Sequence, residues 1–339
     1  MMMHRQPRVA VLGAGSWGTA VAAIVARSAP TILWARSAEV AAEVNTHSRN
    51  SRYVGDTALP PDLRATSSLA EAVTDADAIV IGVPSHGFRR AVESAAPFVR
   101  PWVPIVSLVK GLEEGTELRM TEIVGELLPG HPAGVLAGPN IACEILAGYS
   151  AAATIAMPDQ ASAARLAELF RTSRYRIYSS TDVVGVELCG ALKNVFAIAA
   201  GMGDGAGAGC NTKAMVITRA LREMSRLGEA LGGDPATFGG LAGNGDLIVT
   251  CISPVSRNRR VGEALGRGRT IEEVLAGMSR VAEGVRAAGV VRGLAERAGV
   301  EMPIAREVDA VINHGAAAAV AYRGLLRAAP GHELNGKGW

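Results

Sequence analysis

Val9-Ala-Val-Leu-Gly13-Ala-Gly15-Ser-Trp-Gly18-Thr-Ala20 runs from a short apolar stretch through three glycines at fixed spacing into an alanine-rich, helix-forming segment. Each glycine meets a specific demand. Gly13 allows a tight strand-to-helix turn, Gly15 lets backbone approach a pyrophosphate with no Cβ in the way, and Gly18 lets the helix pack onto a sheet. The helix start then offers its first N–H groups to phosphate. Glycines at these intervals also occur in ordinary turns, so the context decides. A strand-like run precedes them, a helix-like run over residues 19–27 follows, and a second apolar strand comes at Thr31–Trp34. The stretch reads as the opening of a Rossmann-like unit; the plainer alternative is a βαβ unit with glycine turns.

Working outward, Arg5 and Arg8 ahead of the apolar run to Ala26 imitate a secretory signal. Such a signal needs an unbroken apolar centre, and Gly13, Gly15, Ser16 and Gly18 interrupt this one. The expectation is a cytoplasmic chain. Up to about residue 180, β-prone runs at 78–83, 103–107, 134–137, 151–156 and 175–178 alternate with helical stretches, predicting a mainly parallel sheet with helices on both faces. Beyond residue 182 the pattern turns helical. Met215, Leu221, Met224, Leu227 and Leu231 recur at helical spacing, Thr270 with Glu273 forms a capping box, and Pro303 suits a first helical turn. The expected organisation is an α/β dinucleotide-binding domain over 1–181 followed by an all-α substrate domain over 182–339.

Composition sets limits on function. With 339 residues, 49% hydrophobic and 19% charged, the chain has material for two ordinary globular domains. A net charge of +2 argues against a nucleic-acid partner, and the short basic cluster Arg257, Arg259, Arg260 reads as a solvated face. No apolar run reaches the roughly 20 uninterrupted residues of a membrane span; Lys193 and Glu144 break the best candidates. Cys143, Cys189, Cys210 and Cys251 form no C-x-x-C pattern, and the six histidines add no ligand spacing, so free thiols and no metal are expected.

The end of the second strand bears on the cofactor. NAD binders usually carry an acidic residue there for the ribose 2′-hydroxyl, whereas this chain has Trp34-Ala35-Arg36-Ser37. Arg36 suits a 2′-phosphate, so NADP is favoured over NAD; the alternative is a surface arginine beside a pocket that accepts either. Four further regions carry chemistry. Lys110 and Gly111 follow a strand at the sheet's carboxyl edge, where α/β folds bind ligands, as does Gly138-Pro139-Asn140-Ile-Ala142. Lys193-Asn194 lies in an otherwise apolar helix, where the amine either snorkels to water or is desolvated into the range useful for proton transfer. Asp246 and Thr250, with Ser256-Arg257-Asn258, combine a carboxylate with donors suited to phosphate.

Taken together and in this order, Gly-Ala-Gly-Ser16-Trp17-Gly, Lys110-Gly, Gly138-Pro, Ala-Leu-Lys193-Asn194, Gly-Asp246-Leu with Thr250-Cys, Ser256-Arg257-Asn258 and Val281-Ala-Glu283-Gly resemble the bacterial-type NAD(P)-dependent glycerol-3-phosphate dehydrogenases. The resemblance spans about Val9 to Val320. It implies reversible hydride transfer between the nicotinamide and C2 of dihydroxyacetone phosphate, giving sn-glycerol 3-phosphate for glycerophospholipid synthesis, in a homodimer. It implies Lys193 as proton donor and acceptor, Lys110 and Asn194 on the carbonyl, and Asp246 and Thr250 orienting the Lys193 ammonium. By the same resemblance Gly138, Asn140, Ser256, Arg257 and Asn258 hold substrate. Gly13, Gly15, Ser16, Trp17, Gly18, Arg36, Lys110, Ala142, Arg257, Val281 and Glu283 hold NADP or NAD. Two positions depart from the common pattern: Asn140 replaces a serine, and Ala137 stands at the serine position before Gly138. A shifted hydrogen bond at Asn140 is expected. A related two-domain dehydrogenase acting on a β-hydroxy or keto acid is the alternative.

Overall fold

The computed structural model describes residues 6–278 and 282–321, so Val281 lies outside the described residues. The chain forms two compact units. One takes the chain up to Val109 together with Leu118–Val186; the other takes Lys110–Glu117 and the chain from Glu187 onward.

The first unit is built on eight strands: β1 (Val9–Leu12), β2 (Thr31–Trp34), β3 (Arg64–Thr66), β4 (Ala78–Ile81), β5 (Ile105–Ser107), β6 (Ala133–Ala137), β7 (Ala151–Ala156) and β8 (Tyr175–Ser180). Their spatial order is β3-β2-β1-β4-β5-β6-β7-β8, and every pairing is parallel except β6 with β7. Because successive strand side chains point to opposite faces, Val9 and Val11 enter one core cluster while Ala10 and Leu12 enter another. Burial on both faces explains why β1 reads as an unbroken apolar run. Helix α1 (Ser16–Val25) contributes Val21, Ala22 and Ile24 to the cluster of Val9 and Val11. On the other face, α2 (Phe88–Ala95) buries Phe88, Ala91, Val92 and Ala95, the spacing of one helical stripe.

Three details differ from the sequence reading. Strand β3 was not expected, because Arg64-Ala65-Thr66 is a three-residue edge strand without an apolar run. Helix α1 begins at Ser16 rather than Thr19, since the glycine turn leads directly into it. Strand β5 begins at Ile105, after Pro104, which has no N–H to give a ladder.

Among the described residues the second unit has no strand. Its main helices are α3 (Val183–Gly205), whose start belongs to the first unit, α4 (Cys210–Ala230), α5 (Asp246–Ile252), α6 (Arg257–Gly266), α7 (Ile271–Ala276), α8 (Glu283–Ala298) and α9 (Pro303–Asn313). The Thr270–Glu273 capping box opens α7, and Pro303 stands in the first turn of α9. Helix α4 buries Val216, Ala220, Met224 and Leu227, so its stripe is set one residue off Met215. By length and composition α3 could cross a membrane, at a mean hydropathy of 1.6, but 89% of that window is buried and the helix is the core of its unit. It meets α6 backbone to backbone. A Cβ on Gly201 or Gly205 of α3, or on Gly262 or Gly266 of α6, would overlap main-chain atoms of the other helix.

Candidate active site

The glycine turn after β1 is a constrained piece of backbone. Gly13 has φ of +117°, which disfavours a side chain, and a Cβ there would stand 2.9 Å from Gly82. A Cβ on Gly18 would overlap the Gly13 carbonyl. At Gly15, by contrast, a Cβ would meet nothing within 4 Å: this glycine faces open space in which a ligand can approach the backbone. Gly15 is the N-cap of α1, and no side chain caps that terminus, which leaves the helix's first N–H groups for a phosphate. Asn50, fully buried, fixes the turn by donating to the Ala14 carbonyl at 3.0 Å and to Thr19 Oγ1 at 2.8 Å. The Ser16 hydroxyl donates to the Tyr53 carbonyl at 2.7 Å. Neither Asn50 nor Tyr53 was marked by the sequence, for both lie outside the glycine motif.

Other residues named from the sequence lie in the same unit. Arg36 is exposed, two residues beyond the end of β2. Gly138 follows β6 with φ of +144° and packs against Ala153, where a Cβ would come within 2.9 Å of backbone. Ala142 opens a short helix, Ala142–Leu146. Asn140 Oδ1 accepts a 2.9 Å hydrogen bond from the Tyr175 hydroxyl, and the Tyr175 ring stands edge-on to Trp17 at 6.4 Å. The buried Asn140 Nδ2 and Trp17 Nε1 have no hydrogen-bond partner among the described residues.

The helical unit gathers the polar set. Lys193 on α3 is buried, and its Nζ lies 2.6 Å from Asp246 Oδ1 and 2.6 Å from Thr250 Oγ1 on α5. The other oxygen, Asp246 Oδ2, pairs with Lys110 Nζ at 2.6 Å. One carboxylate, 2% exposed, therefore serves two ammonium groups. A π-helical turn, Leu241–Gly245, leads into α5 and sets Asp246 as its first residue. Burial, opposed by the Asp246 charge and assisted by the Lys110 charge, brings the Lys193 amine down from 10.5 to about 8. The desolvated alternative for Lys193 is the one realised, and its amine can exchange a proton near neutral pH. The neighbouring Cys251 thiol is pushed up by burial to about 12, which makes it a packed apolar group rather than a nucleophile.

Asn194 and Asn258 are both buried, and their amides form a chain. Asn194 Nδ2 donates to the Lys110 carbonyl at 2.8 Å, Asn258 Nδ2 donates to Asn194 Oδ1 at 2.8 Å, and the Gly284 N–H donates to Asn258 Oδ1 at 2.9 Å. Ser256 is the N-cap of α6, its hydroxyl accepting from the Arg259 N–H. Arg257 is exposed at the first helical position, and Glu283 opens α8. The basic cluster is only partly a solvated face. Arg259 Nε pairs with Asp204 at 2.6 Å, and Lys213 takes the other Asp204 oxygen at 2.6 Å. None of the four cysteines is in a disulfide; Cys143 and Cys210 are exposed, Cys189 and Cys251 buried.

Residues 8–163 match the profile of the NAD-dependent glycerol-3-phosphate dehydrogenase N-terminus, and residues 182–323 that of the C-terminus. The chain belongs to this dehydrogenase family. It is 61% identical over 336 residues to glycerol-3-phosphate dehydrogenase [NAD(P)+] of Mycobacterium avium (strain 104), covering 99% of this chain and 98% of that one. It is 52% identical to the corresponding protein of Sphingopyxis alaskensis, over 97% and 98% of the two chains. Among solved structures, glycerol-3-phosphate dehydrogenase from Coxiella burnetii superposes with a TM-score of 0.90 at 35% identity, covering 95% of this chain and 99% of that one. A ketopantoate reductase from Ralstonia eutropha, at 18% identity and a TM-score of 0.59, shares the fold alone. As a member of the glycerol-3-phosphate dehydrogenase family, the chain is an oxidoreductase that uses NAD or NADP.

Proposed function

We propose that this chain reduces dihydroxyacetone phosphate reversibly to sn-glycerol 3-phosphate, with NADPH favoured over NADH. The observation that carries the reading is the buried Lys193 ammonium, held by Asp246 and Thr250 with Lys110 on the same carboxylate. Bound NAD(P)H supplies the hydride. Reduction places negative charge on the C2 oxygen, and Lys193, at about 8, supplies the proton there and takes it back in the reverse direction. Lys110 polarises the same oxygen. Since Asn194 and Asn258 have their amides engaged with each other, Asn194 acts on the carbonyl by fixing Lys110. The substrate phosphate is held by the Arg257 side chain and by the first N–H groups of α6, where Ser256 is already the cap. Grip on that distant phosphate holds C2 in place for the chemistry.

Support for the cofactor comes from the open face at Gly15, the start of α1 with no side-chain cap, and the Trp17 Nε1, which has no hydrogen-bond partner among the described residues. Gly13, Ser16 and Gly18 shape that turn, Gly138, Asn140 and Ala142 follow β6, and Arg36 suits a 2′-phosphate. Glu283 completes the cofactor set, with substrate contacts from Gly138 and Asn140. The division of labour is then a dinucleotide-binding domain over 1–181 and a catalytic domain over 182–339, with Lys110 contributed to the second. The setting that fits is a cytoplasmic homodimer supplying the glycerophospholipid backbone. The test is direct. NADPH absorbance falls when dihydroxyacetone phosphate is added and stays constant with a β-hydroxy or keto acid; the opposite pattern overturns the reading.

A further inference from the structure

Lys110 is delivered by a segment, Lys110–Glu117, that belongs to the helical unit although it follows β5 in the chain. The segment has no regular secondary structure, and Gly115 and Glu117 both take positive φ, 88° and 61°. Within it the Glu117 N–H bonds the Glu113 carbonyl at 2.9 Å, and the Lys110 ammonium is held by Asp246 of α5. Further ties at its start, middle and end all lead to one helix. At its start, the Lys110 carbonyl is tied through the side chains of Asn194 and Asn258 to the Gly284 N–H in the first turn of α8. At its middle, Glu114 meets Arg286 of α8 at 3.2 Å. At its end, Glu117, 18% exposed, pairs with Arg297 in the last turn of α8. The Glu117 carboxylate sits over Gly293, where a Cβ would stand 2.7 Å from its oxygen, so the helix leaves a notch for it. Gly284 is likewise required, because a Cβ there would come within 2.9 Å of Asn258 Oδ1 and 2.5 Å of the Asn194 carbonyl.

We propose that α8 is the positioning element for Lys110, fixing its segment at one end through the Asn194–Asn258–Gly284 amide chain and at the other by the Glu117–Arg297 pair seated over Gly293. Glu117 and Arg297 touch neither substrate nor cofactor in this account; they act through Lys110. The inference deepens the proposed reaction and rests on it for its kinetic consequence. It also has a consequence without catalysis: the segment's amides are protected from exchange by α8.

The variants E117Q and R297Q test it, with R297K as the conservative control. Both neutral variants speed amide hydrogen exchange over residues 110–117 and lower kcat/KM for dihydroxyacetone phosphate by roughly ten- to a hundredfold, the upper end being the scale of a catalytic group displaced by about 1 Å. A pH profile separates positioning from a general loss of stability. Lys193 faces Asp246, Thr250 and Cys251 of α5 and Lys110 of the segment. Loosening Lys110 removes a repelling charge and returns Asp246 to Lys193, so the alkaline limb of the reduction moves to higher pH. R297K restores both readouts. Wild-type exchange together with a wild-type pH limb in E117Q and R297Q overturns the proposal. If the wild-type protein does not oxidise NADPH with dihydroxyacetone phosphate, the reaction reading fails, and the exchange measurement still decides the role of α8. Should R297Q fail to fold, E117Q, which leaves α8 intact, gives the same decision.

Discussion

At the scale of single residues, Lys193 shows how far a sequence can be taken and where it stops. A lysine inside an apolar helix has two outcomes, and periodicity does not choose between them. The choice is made by Asp246, 53 positions away, which gives the buried ammonium a partner at 2.6 Å. The Lys193→Ala variant is expected to cut turnover by about a hundredfold or more while leaving NADPH affinity intact; stopped-flow turnover and fluorescence titration measure the two. The pH dependence has a definite sign. Reduction needs the protonated amine, so its rate falls as pH rises through about 8, and oxidation, which needs the neutral amine, rises through the same value. Identical pH profiles in the two directions would remove Lys193 from the proton step. Asn258 teaches the opposite lesson. Beside a serine and an arginine it reads as a phosphate donor, and its amide also joins Asn194 to Gly284, contacts made by residues remote in sequence. Nothing in Ser256-Arg257-Asn258 announces that.

At the scale of elements, the legible parts were those whose signal is local. The glycine turn, the capping box at Thr270 and the helical stripe of α4 each depend on residues within a few positions of one another. Strand β3 and the Asn50 bond to the turn depend on neighbours 30 or more residues away, as in Asn50 to Thr19 with a separation of 31, and were not legible. The same non-local logic governs the start of α9. Its first N–H groups, at Ile304 and Ala305, donate to the buried carboxylate of Glu223 on α4. Glu223→Ala leaves those donors without an acceptor and is expected to destabilise the protein by about 1–3 kcal/mol, read by urea denaturation. Burial holds the Glu223 carboxyl up, from 4.5 to about 7, against the favourable backbone bonds. A raised carboxyl binds its proton more tightly in the folded chain than in the unfolded one. Stability relative to Glu223→Gln therefore declines as pH rises from about 4.5 to about 7 and is level above it. A gap that widens in the other direction would assign the dominant role to the backbone bonds.

At the scale of the whole molecule, the sheet unit carries the glycine turn and the helical unit carries the lysine–aspartate cluster, so cofactor binding and proton transfer can be disabled separately. Gly18→Ala places a Cβ against the Gly13 carbonyl, a backbone atom that cannot step aside without opening the turn. A ligand that binds only the folded protein stabilises it by about 2.7 kcal/mol at a concentration of 100 times its dissociation constant. NADPH at that level is expected to raise the melting temperature of the wild-type protein and of Lys193→Ala alike. The same addition is expected to leave Gly18→Ala nearly unmoved, because the turn that receives the pyrophosphate is no longer formed. Arg36 supplies the discriminating comparison. A charge-assisted contact to a 2′-phosphate contributes about 1.5–3 kcal/mol, so Arg36→Ala is expected to lose roughly ten- to a hundredfold of its NADPH affinity and little of its NADH affinity. Equal losses for the two nucleotides would make Arg36 a general contact at the rim of the site. Unchanged affinities for both would leave the exposed arginine as surface, and the cofactor preference would then have to come from other residues of the cofactor set.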